Sequence, residues 1–280
     1  MILLADSGST KTHWCLLTDT GQIKSQATTK GINALMVSAD ELSARLHSEL
    51  PADITSQPIS AIYYYGAGCV SETVCNNVRN AISNVVPAAK IEVNTDLLAA
   101  ARAMLADSPG VACILGTGSN SCFYDGSAIV DNVSPLGYIL GDEGSGAVLG
   151  RLLVGDVLKR QLQPQLCEKF FNQYGLDRLA IINRVYKEPN ANRFLASFAP
   201  FLSENIDHPQ IQTLVLDSFE SFFRRNVMNY PTTDNICFVG SIARHFEPWL
   251  RKAADNCGLK IAKIAASPMD GLINYHIKHR

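Results

Sequence analysis

The chain has almost no surplus of either charge: 24 Lys and Arg stand against 26 Asp and Glu, for a net charge of -2, and 18% of its 280 residues are charged. A surface that binds nucleic acid or an anionic membrane needs a concentrated basic field, so neither partner is expected. Long apolar runs are missing too, and none approaches the ~18 residues that a spanning helix needs. No basic region precedes the first apolar residues, and Asp6 interrupts them at once, so a cytoplasmic location is the expectation. Cys-x-x-Cys pairs and zinc-spaced Cys/His clusters are absent. The eight cysteines are scattered, several inside apolar strands, and read as reduced thiols that pack as small hydrophobes. Cys69, in the turn Gly66-Ala67-Gly68-Cys69, is the thiol to watch. No low-complexity linker divides the chain.

What is present is a 47% hydrophobic content over a length that suggests about two domains. Small ligands or protein partners suit such a composition. The run Ile2-Leu3-Leu4-Ala5 leads into Asp6-Ser7-Gly8-Ser9-Thr10-Lys11-Thr12, and Val111-Ala112-Cys113-Ile114 leads into Leu115-Gly116-Thr117-Gly118-Ser119-Asn120. Both turns combine glycine, which lets the backbone come close, with a Ser or Thr hydroxyl, and each therefore suits a phosphate cradle. Ser9, Thr10 and Lys11 are the candidate groups in the first, Gly116, Thr117 and Gly118 in the second. An alternating strand, an Asp-Gly-type turn and another strand follow each loop, so the chain reads as duplicated.

The first half predicts strands over 2–6, 12–18, 22–29, 59–65 and 91–94, with helices over 38–50, 71–85 and 96–106. The second predicts strands over 111–116, 120–125, 128–132, 235–239 and 259–265. A long helix begins near Glu143, a largely helical block reaches about Tyr230, and helices cover 242–256 and 269–276. Hairpin-linked strands followed by alternating strand and helix point to mixed α/β sheets covered by helices. In the helical block, Val215, Phe219, Phe222, Phe223 and Val227 recur at helical spacing, which suits a core or a subunit contact.

Several residues have the chemistry for phosphoryl transfer, which needs positioning, charge neutralisation and a base. Asp6 suits a magnesium ligand or a turn-forming residue. Lys11 suits a phosphate contact or plain solvent. Asp96, between a short strand and a helix, suits a general base, and equally a helix N-cap. Asn33 follows a strand in a turn where an amide can bond a sugar hydroxyl. In Gly137-Tyr138-Ile139-Leu140-Gly141-Asp142-Glu143-Gly144-Ser145-Gly146, four glycines accompany two carboxylates. That density is costly unless the backbone approaches something closely. Asp142 suits substrate hydroxyls or the metal, and Glu143 the helix N-terminus. Gly240-Ser241, between a strand and a helix, suits a nucleoside.

In this order, Asp6-Ser7-Gly8-Ser9-Thr10, Thr95-Asp96, Gly116-Thr117-Gly118-Ser119-Asn120, Gly141-Asp142-Glu143-Gly144-Ser145 and Val239-Gly240-Ser241 closely resemble the N-acetylglucosamine kinase family. That family stands with the activator-type ATPases in the actin, sugar kinase and heat-shock chaperone ATPase superfamily. The resemblance spans nearly the whole chain, and its most specific pieces are the Gly-Thr-Gly-Ser-Asn and Gly-Asp-Glu-Gly-Ser segments. It implies an α/β fold of duplicated ribonuclease H-like (actin-like ATPase) domains over residues 1–115 and 116–280. Each would hold a mixed five-stranded sheet with flanking helices, with a nucleotide cleft between the two. The helical block becomes an insertion in the second, and the final helix is expected to reach back to the first.

The resemblance further implies that Thr10 and Thr117 contact ATP phosphates and that Ser241 lies by the nucleoside. Asn33, Asp96, Ser119, Asn120 and Asp142 would bind an amino sugar, with Asp96 as the base and the 135–139 segment, including Gly137 and Tyr138, lining the pocket. ATP and Mg²⁺ are the implied cofactors, N-acetylglucosamine phosphorylated at its 6-hydroxyl the leading substrate, and a homodimer the expected assembly. Glucosamine, a muramic-acid-type sugar or glucose are alternative acceptors. An activator ATPase, which needs an iron-sulfur cluster shared between subunits, and a nucleotide-dependent sensor are alternatives of another class. Two segments depart from vertebrate-type members: the first loop lacks an extra glycine, and Pro135-Leu136-Gly137-Tyr138 lacks a Trp.

Overall fold

Apolar residues on both faces of the opening strand demand cover on both sides, and that demand organises the first half of the molecule. The computed structural model describes residues 1–279. In chain order the elements are β1 (Ile2–Ser7), β2 (Lys11–Leu17), β3 (Ile23–Lys30), α1 (Ala39–Glu49), α2 (Ala52–Thr55), β4 (Ile59–Gly66), α3 (Glu72–Ser83), β5 (Ala88–Thr95) and α4 (Asp96–Leu105). Then come β6 (Gly110–Leu115), β7 (Ser119–Tyr124), β8 (Ile129–Asp131), α5 (Gly137–Leu140), α6 (Gly146–Leu158), α7 (Pro164–Tyr174), α8 (Arg178–Tyr186), α9 (Ala191–Ala196), α10 (Ala199–Glu204) and α11 (Pro209–Arg225). The chain closes with β9 (Ile236–Val239), α12 (Ser241–His245), α13 (Glu247–Asn256), β10 (Ile261–Ala265) and α14 (Met269–Lys278). Among the described residues no helix is long and apolar enough to cross a membrane.

Two compact units result: Met1–Asp107 together with the segment from Ser267, and Ser108–Ala266. Their sheets are built alike. The first runs β3-β2-β1-β4-β5 and the second β8-β7-β6-β9-β10. In both, the first three strands pair antiparallel and the last two join parallel.

In unit 1, Leu3, Ala5, Trp14, Leu16, Ile62 and Tyr64 face one cluster, which α1 and α3 cover with Leu42, Leu46, Val78 and Ile82. Ile2, Leu4, Cys15, Leu17 and Tyr65 face the other, covered by Ala99 and Ala103 of α4 and by Met269, Leu272 and Ile273 of α14. The final helix therefore belongs to the first unit. Its buried His276 shares a 2.8 Å hydrogen bond with the Tyr65 hydroxyl, which also accepts from Arg102 Nη1 at 2.8 Å. Burial pushes the His276 pKa down to about 3, so the ring is neutral and accepts from the phenol.

Unit 2 holds one large core around Val111, Cys113, Leu115, Phe238 and the aromatic face of α11. Val215, Phe219, Phe222, Phe223 and Val227 are all buried there, so this stripe is core. The division between units falls after Asp107, ahead of β6 and not at Gly116, because β6 is a strand of the second sheet and Val111 N bonds Asn235 O at 2.9 Å. The helix expected over 242–256 is two. Pro248, near the start of α13, has no N–H to continue a ladder from α12.

Candidate functional site

In unit 1, β1, β4 and β5 run parallel and end in register, with Ser7 opposite Gly66 and Gly66 opposite Thr95. Their carboxyl ends form one rim, where ligands of such sheets collect. Asp6 sits one residue inside that rim and Asp96 one residue beyond it. The turn Gly8-Ser9-Thr10 crosses from β1 to β2, with Thr10 and Lys11 exposed.

Thr95 is the cap of α4: its hydroxyl accepts from Leu98 N at 3.1 Å. Asp96 is thereby relieved of the capping role and opens the helix as its first residue. Its carboxyl is pushed up to about 6 by burial, against hydrogen bonds from Leu97 N–H and its own N–H. Burial likewise drives Asp6 up to about 7, helped by the charge of Asp96 and opposed by Lys11. The charge of Asp96 resists ionisation of Asp6. Asn33 caps the short turn Ala34–Met36, its Oδ1 accepting from Leu35 N at 3.1 Å. The orientation of the amide is assigned from this hydrogen bond.

In unit 2, three motifs far apart in sequence converge. Gly116 N donates to Gly118 O at 2.9 Å, and the carbonyls of Gly116 and Thr117 accept from Gly146 N and Ala147 N at 2.8 and 3.0 Å. The second glycine loop is thus fastened to the start of α6, which Ser145 caps through Val148 N. Gly240 stands at φ +129°, and a Cβ there would lie 2.2 Å from Leu115 O, so only glycine lets the Gly240-Ser241 turn close on the end of β6.

Asp142 adopts φ +54° and is 9% exposed. A Cβ on Gly118 would meet its Oδ2 at 3.1 Å, which places the carboxylate against the loop. Burial pushes Asp142 up to about 6, although Ser119 N–H donates to it. Ser119 is buried. Asn120 Oδ1 accepts from Ser121 N at 2.9 Å and from Asn132 Nδ2 at 3.0 Å, so this amide also offers only donors. Tyr138 packs against the apolar core and Gly137 is exposed in α5; Pro135 O, just before them, accepts from Asp142 N at 2.8 Å.

No family model matches the chain. A solved structure from Porphyromonas gingivalis, a proposed N-acetylglucosamine kinase, is 47% identical, covers 99% of both chains and superposes with a TM-score of 0.96. The chain belongs to the N-acetylglucosamine kinase family. Its class is that of the sugar kinases. The glucosamine kinase of Vibrio cholerae serotype O1 is 27% identical over 171 residues, which cover 59% of this chain. That match spans 57% of the Vibrio enzyme's length. At the level of fold alone, the Streptomyces griseus ROK family glucokinase, solved with glucose and AMPPNP, matches with a TM-score of 0.60 at 14% identity over 98% and 97% of the chains. Both units of this N-acetylglucosamine kinase family member accordingly have the actin-like ATPase fold.

Three features were not legible in the family member's sequence. Asn132 holds Asn120 and also donates to Ser121 O at 2.7 Å. Tyr230 bonds Ser121 through both hydroxyl and carbonyl and accepts from Val133 N. Neither residue lies in a glycine-rich or charged motif, so no local signal marks them. Glu143 does not serve the α6 N-terminus; it pairs with Arg225 and lies 3.5 Å from Asn226 Nδ2. Cys69 is buried and its thiol is pushed up to about 12 by that burial, which leaves it protonated and inert.

Among the described residues no group of three His, Cys, Asp or Glu side chains forms a metal cage. Asp6 fits magnesium in another way. It is a half-buried carboxyl whose pKa is raised by desolvation and by the charge of Asp96, against Lys11, so a further cation would suit it, and Mg²⁺ typically takes one or two carboxylates with phosphates and water supplying the rest.

Proposed function

We propose that the chain is an ATP-dependent kinase that phosphorylates the 6-hydroxyl of N-acetylglucosamine or a closely related amino sugar. The observation that carries this reading is Asp96: a half-buried carboxyl at the rim of the parallel strands, freed from capping by Thr95, with its pKa pushed up to about 6. As the sugar hydroxyl oxygen bonds to the γ-phosphorus, Asp96 takes its proton, the bond from phosphorus to the β-phosphate oxygen breaks, and ADP leaves.

Thr10 with Ser9 and Lys11, and Thr117 with Gly116 and Gly118, are assigned to the ATP phosphates, and Gly240-Ser241 to the nucleoside. Magnesium, held by Asp6, would neutralise charge on the phosphates. Asn33 and Asn120 present amide donors, and Asp142 an acceptor with Ser119 beside it. Such a set suits a ligand with both hydroxyls and a carbonyl, as an N-acetyl sugar has. The segment with Gly137 and Tyr138 is assigned to the pocket wall. The exposed apolar side chains Leu136, Ile139 and Leu140 support assembly as a homodimer, checked by the mass in solution.

ADP release measured with ATP and Mg²⁺ across a panel of amino sugars and hexoses tests the reading. N-acetylglucosamine or a close amino sugar should raise the rate far above that with water alone. Equal rates with and without every sugar would remove it. Glucosamine as the better acceptor is the second reading, favoured by the Vibrio relative, and the same panel separates the two.

A further inference from the structure

We propose that Gly31 is a positioning residue that makes the seat of Asn33 depend on the seat of the phosphate loop. The inference rests on the kinase reading for the roles of Asn33 and Thr10. The segment from Lys30 to Ala34 is bonded into the Gly8–Lys11 turn. Gly31 N donates to Thr10 O at 2.9 Å. A Cβ at Gly31 would stand 2.4 Å from Lys11 N, 2.4 Å from Thr10 C and 2.5 Å from Gly8 O. All three are main-chain atoms, so the two segments meet backbone to backbone and any side chain would force one of them away.

Beneath this contact lies a buried hydroxyl pair. Ser7 Oγ and Thr12 Oγ1 are 2.7 Å apart, and they reach Ile32 O at 3.5 Å and Lys30 O at 3.4 Å respectively. Beyond Asn33 the ring closes, because Ala34 N donates to Ala67 O at 3.0 Å and Ala67 N to Ser7 O at 2.8 Å. Asn33 is therefore set in a loop of main-chain contacts that begins and ends on the phosphate turn. Its own Oδ1 is fixed by Leu35 N. No long side chain intervenes to absorb a shift of Thr10, so a phosphate that moves or stiffens the turn does the same to the Asn33 amide. Coupling of this kind is reciprocal: sugar held by Asn33 tightens the phosphate seat.

The test reads Asn33 without any sugar. The full chain, labelled with ¹⁵N at asparagine, is titrated with AMPPNP and Mg²⁺, and the Asn33 side-chain signals are assigned through Asn33→Gln. Nucleotide should shift the Asn33 NH₂ signals in the wild type and fail to do so in Gly31→Ala while AMPPNP still binds. Should Gly31→Ala not fold, Ser7→Ala, which removes the hydroxyl link, should give a reduced shift. In turnover, a folded Gly31→Ala should raise the KM for ATP and for sugar together, each by roughly tenfold, whereas a change in sugar KM alone overturns the coupling. Asn33 signals that nucleotide leaves unmoved in the wild type, or moves equally in the variant, also overturn it. Shifted Asn33 signals in a protein without sugar-dependent ADP release would remove the kinase reading and leave the coupling intact, and a wild type that binds no nucleotide removes both.

Discussion

The two units share a strand order and a glycine-hydroxyl loop after the first strand, yet they have diverged in what that scaffold carries. In unit 1 the chain passes from β3 to β4 through Gly31 to Pro58, whereas in unit 2 the matching passage from β8 to β9 runs from Asn132 to Asn235 and holds seven helices, α5 to α11. Unit 1 divides its core between the two faces of its sheet, and unit 2 gathers its own into one large aromatic cluster. The rim of unit 1 holds two carboxyls with raised pKa values, Asp6 and Asp96, while the first strand of unit 2 ends on Leu115 with no acid. Both units carry a glycine-hydroxyl loop after their first strand, but only in unit 1 do acids sit at the ends of the parallel strands beside it. The acid of unit 2, Asp142, comes from the connection between strands and faces the loop from outside. Base and metal chemistry is therefore expected from unit 1, and hydroxyl recognition from unit 2.

That division breaks most visibly at Asp96. Asp96→Asn is expected to lower turnover by about 100- to 10,000-fold with ATP affinity little changed, as read by single-turnover kinetics and calorimetry. Asp142→Asn should instead act on binding, raising the sugar KM by roughly 10- to 100-fold with a much smaller change in kcat. If both variants changed the same parameter, the assignment of separate tasks would fail.

The pH profile sharpens the comparison further. A protonated Asp96 cannot take the hydroxyl proton, so kcat/KM should fall below about pH 6, by about tenfold per unit. Asp96→Asn should abolish that limb. The smallest effect concerns the ligand-free protein. The folded-state pKa of Asp6 is raised from 3.8 to about 7, so its proton stabilises the fold fully below pH 4 and that contribution is lost as pH rises through 7. Asp6→Asn, which cannot ionise, should melt a few degrees above the wild type at pH 8 and show no such gain at pH 4. Saturating Mg²⁺ and ATP should reverse the order at pH 8.

Sequence reading succeeds here where the signal is local. Short apolar runs marked β1 and β6, alternation marked β2 and β7, and glycine density marked the loops that converge in unit 2. Thr95 and Asp96 were both visible, but which one caps α4 depends on a three-residue geometry that a string of letters leaves open. Partners across long separations were hidden: Tyr230 with Ser121, Glu143 with Arg225, and His276 of α14 with Tyr65. The same reason explains the unit boundary. Residues before Gly116 belong to the second unit because β6 pairs with β9, more than a hundred residues later in the chain.

The most direct measurement is the identity of the phosphorylated product. The full chain is incubated with ATP, Mg²⁺ and N-acetylglucosamine and followed by ³¹P NMR. A phosphomonoester signal split by the two C6 protons of the sugar should grow in step with ADP. ADP matched only by inorganic phosphate, with no ester formed from any amino sugar, would contradict the kinase assignment.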